Sequence, residues 1–175
     1  MIQEQAQALI KEAIDKRASD IYLQPINGHY HVQARVQDDK ISLMTLTESD
    51  YNALIAHFKF LAGMNVGEKR RIQSGSVTYD YGEGYIFLRL SSVGDVNQCE
   101  SLVIRLIYQD RGDMRFWFDE DQEMDDFLNQ RGLYLFAGPV GSGKTTLMYH
   151  LIEQHTDRQV IAIEDPVEIK HSGML

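Results

Sequence analysis

Cysteine is almost missing: Cys99 stands alone in 175 residues. No intramolecular disulfide can form, and a zinc ribbon cannot be assembled within the chain. The thiol reads as a small side chain near a strand end rather than as a redox group. Basic residues are also scarce, with 17 lysines and arginines against 26 aspartates and glutamates and a net charge of −9. That balance argues against gripping nucleic acid through a broad cationic surface, and so against a DNA translocase, although a narrow basic groove is compatible with it. The six histidines show no H-x-x-x-H pairing. His29 and His31 share one face of a predicted strand without a third ligand, so no metal is expected there. No apolar run approaches the roughly 20 residues of a membrane span. The N-terminus is a charged amphipathic segment rather than a signal peptide, which makes the cytoplasm the expected compartment.

What is present is an ordinary globular composition, 43% hydrophobic and 25% charged, with one stretch that organises the rest. Residues 138–146 read GPVGSGKTT, matching G-x-x-x-x-G-K-[ST]. The loop comprises Gly138, Pro139, Val140, Gly141, Ser142, Gly143, Lys144, Thr145 and Thr146. Glycines let the backbone wrap closely around an anion. Its N–H groups would form a nest for phosphate at the positive end of the following helix. Lys144 would supply a cation for the β- and γ-phosphates, and the Thr145 hydroxyl would ligate Mg²⁺. The flanks suit this: residues 133–137 (LYLFA) read as a buried parallel strand. Leu147, Leu151 and Ile152, with Met148 beside them, read as one face of a helix. A GTPase would normally add an N-K-x-D motif, and none appears.

The chain before the loop alternates between the two periodicities. Ile2, Ala6, Leu9, Ile10, Ala13 and Ile14 mark an amphipathic helix. It is expected to pack on its own sheet rather than on a membrane, because the polar face is not predominantly basic. Residues 21–25, 30–36 and 41–44 read as strands, with turns at Gly28 and at 38–40. Thr47 reads as the N-cap of a helix whose stripe is Tyr51, Leu54, Ile55, Phe58 and Leu61, closed by Gly63. Lys69, Arg70 and Arg71 form a small cationic cluster in a loop, either solvated or touching phosphate or an acidic neighbour. Strands follow at 77–81, 85–90 and 101–106, the first two joined through Gly82, Glu83 and Gly84. Arg89 and Arg105 each sit in an otherwise apolar strand, a costly place for a charge without a partner.

Residues 109–123 change character, with three aromatics and an acidic run, and read as a linker. The domain boundaries are therefore 1–108, the linker 109–123, and 124–175. The last begins with a short helix around Met124, Phe127 and Leu128. After the loop helix, residues 160–163 (VIAI) read as a second buried strand ending in Glu164, Asp165 and Glu168. Acidic groups at a strand's C-terminal end lie where open α/β sheets bind ligands, and could hold or orient Mg²⁺ and its waters.

Six ordered stretches, ASDIYLQP, FKFLAGMNVGEKRRIQSG, FLRLSS, LVIRLI, GPVGSGKTTLMY and IEDPVE, resemble the ATPases of type II secretion, type IV pili and competence pili. The short N-terminus looks most like the Gram-positive competence branch. The resemblance implies an α/β fold: a PAS-like N-terminal α+β domain with a mainly antiparallel sheet, then the start of a RecA-like P-loop domain. It further implies ATP and Mg²⁺, a hexameric ring at the cytoplasmic face of the membrane, an inner-membrane platform protein as partner, and no direct contact with nucleic acid. Arg89 and Arg105 match the family's arginines that reach the γ-phosphate. Glu164, Asp165 and Glu168 match its acidic box, with Glu164 and Asp165 near the metal and Glu164 and Glu168 supporting metal and water. Two motifs depart from the family: Tyr22 replaces the histidine of ASDIH, and Ile72, Gln73, Ser74 and Gly75 replace P-Q-D-G. No Walker B strand or histidine box precedes Leu175. The chain is therefore expected to be a fragment of a longer motor, with poor hydrolysis by itself. The alternative is a natural short nucleotide-binding module that assists assembly or regulation without turnover.

Overall fold

Stretches of alternating apolar and polar residues pair into one antiparallel sheet in the computed structural model, which describes residues 1–97, 99–108, 131–139, 141–154 and 159–163. The chain divides into two units, Met1–Tyr108 and Gln109–Leu175. In the first, helix α1 (Ile2–Asp15) precedes strands β1 (Asp20–Ile26), β2 (His29–Val36) and β3 (Asp39–Leu46). Helix α2 (Glu48–Leu61) then leads to β4 (Gln73–Asp80), β5 (Tyr85–Gly94) and β6 (Glu100–Ile107). The sheet order is β3-β2-β1-β6-β5-β4. Two three-stranded meanders thus meet along β1 and β6, and α2 carries the chain from one edge of the sheet to the other.

One face of this sheet is the core. Ile21 and Leu23 of β1, Val32 and Ala34 of β2, Leu88 and Leu90 of β5, and Leu102 and Ile104 of β6 are buried with Ala6, Leu9, Ile10 and Ala13 of α1. Tyr51, Leu54, Ile55 and Phe58 of α2 complete the same cluster. The apolar stripe of α1 therefore lies against its own sheet, as its mixed polar face suggests. Thr47 caps α2: its hydroxyl oxygen accepts the Asp50 N–H at 3.2 Å. Gly63, at φ 69°, turns the chain away after the last helical turn. Leu61 is partly exposed at 38% and falls outside the core.

Three expectations shift. The β2–β3 turn falls at Gln37 and Asp38, with Gln37 at φ 56°, so Asp39 and Lys40 already belong to β3. Strand β4 starts at Gln73 rather than 77, because the Gln73 side chain is locked into the preceding loop. It accepts from the Asn65 N–H (2.8 Å) and donates to the carbonyls of Asn65 (3.0 Å) and Glu68 (2.8 Å). In the second unit, residues 133–137 and 160–163 are not strands beyond a single bridge residue at Val160. Leu133 is 93% exposed and Ile163 96%. A parallel strand is stable only between partners, and among the described residues no strand pairs with either stretch. The linker 109–123 and the helix around Met124 lie outside the described residues.

Periodicity also conceals a buried ion pair. Lys59, fully buried, meets Glu100 at 2.5 Å. Its ammonium also donates to the Glu68 carbonyl at 2.7 Å, and the Tyr51 hydroxyl donates to the Glu100 carbonyl at 2.6 Å. Lys59 follows Ile55 by one helical turn, so its place in the stripe was readable, whereas its partner 41 residues away was not. Removing one member leaves a buried charge uncompensated, at a cost of about 3–5 kcal/mol. Lys59→Met should show that loss in denaturant unfolding. Lys59→Met with Glu100→Gln should recover a large part of it.

His57 packs edge-on against Phe58 (5.6 Å between ring centroids) and Tyr79 (6.5 Å), and its Nε2 is buried with no hydrogen-bond partner among the described residues. Desolvation lowers the His57 pKa below the ordinary value of 6.5 and pushes the Tyr79 phenol up to about 12, with Asp80 adding to the latter. The folded state therefore binds the His57 proton later than the unfolded chain as pH falls. Stability from this group is complete above the unfolded value and declines below it. His57→Phe should flatten the fall in unfolding free energy between about pH 7 and about pH 5, measured by denaturant titration.

Candidate nucleotide-binding site

The phosphate loop takes its shape from two left-handed glycines, Gly141 at φ 79° and Gly143 at φ 82°, a conformation that a Cβ penalises. Gly138 packs closely against the loop's own side chains. A Cβ there would stand 2.8 Å from the Ser142 Oγ. Helix α3 (Lys144–Gln154) begins directly after the loop, and the Leu147 N–H donates to the Gly143 carbonyl at 2.8 Å. Tyr149 and Leu151 are its buried anchors. Leu147 and Ile152 are half-buried and Met148 is exposed, so the helix turns a slightly different face inward than the leucine spacing suggests. Tyr149 was missed because a lone aromatic beside a leucine stripe gives little phase information.

The Lys144 ammonium arcs back over its own loop, donating to the carbonyls of Gly138 (2.9 Å) and Pro139 (2.6 Å). A cation, a helix N-terminus and positive-φ glycines converge on one cradle. These donors fit a polyphosphate. Thr145, exposed at the first turn of α3, offers the hard hydroxyl oxygen that suits Mg²⁺ shared with phosphate oxygens. Thr146 is half-buried. Val140, Glu164, Asp165 and Glu168 lie outside the described residues.

Arg89 and Arg105 belong to the first unit, where they are directly opposed across β5 and β6. Neither is embedded in apolar surroundings. Ile86, Leu88 and Leu90, like Leu102, Ile104 and Leu106, point into the core, so strand alternation sends both arginines to the other face. The expected cost of burial therefore does not arise: Arg105 is 51% exposed and Arg89 half-buried. Cross-strand pairing aligns them in one row, Lys40, Arg35, Asp20, Arg105, Arg89 and Ser76, running through all six strands. Asp20, buried to 6% exposure, accepts from the Arg105 Nε at 3.0 Å. The sequence could place Asp20 on the outer face, opposite Ile21 and Leu23, but not beside Arg105.

Lys69, Arg70 and Arg71 are all exposed on a loop built by Glu68, whose carboxylate accepts the N–H groups of Arg70 (2.7 Å) and Arg71 (3.2 Å). Those bonds lower the Glu68 pKa. A Cβ at Gly94 would overlap the Lys69 carbonyl oxygen, so the loop rests on the end of β5. Within the first unit this cluster faces solvent. Cys99 is a free, half-buried thiol.

The glycine-rich turn at the start of α3 has the shape and donor set of a candidate phosphate-binding loop. The whole chain, residues 1–175, matches the family described as "Type II/IV secretion system protein", and it belongs to that family. It is 50% identical to the Competence protein ComGA of Streptococcus pneumoniae, covering 100% of this chain and 56% of that protein. It is 34% identical to the Competence protein ComGA of Bacillus subtilis, covering 99% of this chain and 51% of that protein. It is 31% identical to the Type IV pilus assembly ATPase PilB of Thermus thermophilus, covering 95% of this chain and 20% of that protein. The chain thus spans about half the length of its two ComGA relatives.

Charge-assisted hydrogen bonds contribute about 1.5–3 kcal/mol each. Lys144→Ala should therefore weaken ATP binding by the intact protein about 10- to 100-fold, read by calorimetric titration.

Proposed function

We propose that this chain forms the N-terminal and phosphate-loop part of a hexameric motor ATPase that couples ATP hydrolysis to assembly of a competence pseudopilus, and so to DNA uptake. The observation that carries this reading is the phosphate cradle at the start of α3 in a chain half identical, along its whole length, to a competence protein. In this reading the loop backbone of residues 138–146 holds the β-phosphate and Lys144 neutralises the β- and γ-oxygens. Thr145, with Glu164 and Asp165, holds Mg²⁺, and Glu164 and Glu168 orient metal and water. The ion would shield the phosphate charges. Arg89 and Arg105 would stabilise charge gathering on the γ-phosphate, the part of phosphoryl transfer where a positioned guanidinium contributes most.

Their placement supports this assignment. Side by side on an outward-facing sheet surface, with Arg105 half-exposed, they are available to an anion brought to that surface. The proposed site of action is the cytoplasmic face of the cell membrane. No helix among the described residues is long and apolar enough to cross a membrane. In this reading an inner-membrane platform protein supplies the attachment. This chain's net charge of −9 favours a motor that acts on the pseudopilus over one that holds DNA through these residues.

Two variants of the full-length protein test the reading. Lys144→Ala should reduce DNA uptake to background, and normal uptake in that strain would overturn the assignment. Arg89→Gln should bind ATP normally yet hydrolyse it about 10³-fold or more slowly, measured as phosphate release.

A further inference from the structure

We infer that Asp20 is a positioning residue for Arg105, holding its guanidinium by one nitrogen so that the other two stand beside Arg89 as a fixed fork for a phosphate group. This deepens the reading above and rests on Arg105 being a γ-phosphate ligand. The carboxylate is built to be immobile. Its Oδ1 accepts from the Arg105 Nε at 3.0 Å and its Oδ2 from the Ser19 hydroxyl at 2.8 Å. The backbone around it is pinned on both sides. The Ser19 N–H donates to the Arg35 carbonyl (2.8 Å), and the Leu106 N–H donates to the Ser19 carbonyl (2.9 Å). The Tyr108 hydroxyl donates to the Ala18 carbonyl at 2.8 Å.

Stability is only part of the explanation for this pair. The Asp20 side chain is 9% exposed and needs a partner for its charge, but that of Arg105 is 51% exposed, so solvent screens the pair from the arginine side and limits what it adds. Orientation is the better explanation. An arginine free to rotate samples many rotamers. Tethering its Nε fixes the guanidinium plane and leaves both terminal nitrogens without a partner among the described residues. Arg89 lies directly across the strand pair, where like charges repel. Asp20 compensates one side of that repulsion, and the dianionic end of a nucleotide would compensate the other. Bidentate recognition of phosphate by a planar fork is what such an arrangement offers.

Steady-state ATP hydrolysis by the intact protein tests this with Asp20→Asn, Arg105→Gln and the double variant. Asp20→Asn should lower kcat by about 10- to 100-fold, the usual consequence of misplacing a reacting group, with KM for ATP changed by less than about threefold. The double variant should be no slower than Arg105→Gln. Ser19→Ala, which frees one carboxylate oxygen, should lower kcat by several-fold, and it decides the matter if Asp20→Asn fails to fold. Unchanged kcat in Asp20→Asn, or in Ser19→Ala where that variant decides, overturns the positioning role; slow turnover by Arg105→Gln then leaves the Arg105 reading standing. Additive losses in the double variant, or a KM rise equal to the kcat loss, also overturn it by placing Asp20 in another task. Full turnover by Arg105→Gln overturns the reading of Arg105 itself, and this inference with it.

Discussion

Everything in the first unit depends on the seam between β1 and β6. Residues more than 80 positions apart in the chain, such as Asp20 and Arg105, become cross-strand neighbours. Without that pairing the unit is two separate meanders, each with an open edge. Ile21 opposite Ile104 and Leu23 opposite Leu102 fix the register by burial, because a one-residue slip would turn every apolar side chain to the wrong face. The closure entropy of so long a loop grows only logarithmically with length. A few fully buried pairs, covered by α1 and α2, are enough to offset it. The same register that buries the core sets the charged row on the opposite face, so folding and the candidate site share one determinant.

The Lys59–Glu100 pair does a different job. Buried ion pairs are weak contributors to net stability, since desolvation offsets most of the attraction. This one ties three separate segments: Lys59 in α2, the Glu68 carbonyl in the following loop, and Glu100 at the start of β6. Tyr51 adds a fourth contact through the Glu100 carbonyl. A purely apolar contact would fill the same space but would not specify where the 64–72 loop lies. The polar pair does, and the loop then holds Gln73 and starts β4 early. The loop's cationic tip is therefore held in place from beneath.

The parts of this architecture legible in the sequence are those that local physics decides. Helices α1 and α2 were readable from the spacing of Leu9 and Ile10 and of Tyr51, Leu54 and Phe58. The Thr47 cap followed from side-chain chemistry, and the tight turn before α3 from its glycine positions. Arg89 and Arg105 look costly in the sequence because each stands in an apolar strand. Their apolar neighbours alternate inward, leaving the arginines outside, so the puzzle was one of face rather than burial. What could not be read was pairing. Asp20 beside Arg105 and Lys59 beside Glu100 depend on register between distant strands and helices, which no local window encodes. The apolar stretches at 133–137 and 160–163 show the opposite limit. Their composition suits a buried strand, but strand structure belongs to the pair and not to the segment.

The proposed nucleotide site sits in a chain of net charge −9, and distance reconciles the two. At physiological ionic strength the screening length is about 8 Å, so remote carboxylates barely register at a phosphate. What matters is the charge within one or two side-chain lengths. At the loop, Lys144 and the N-terminus of α3 supply positive potential while its own carbonyls hold the ammonium in place. On the sheet, Lys40, Arg35, Arg105 and Arg89 share a row with a single acidic residue, Asp20. That carboxylate is bonded at both oxygens and faces its partners rather than solvent. Local positive potential is thus concentrated on two small surfaces, and the overall negative charge keeps the rest of the protein from binding polyanions indiscriminately.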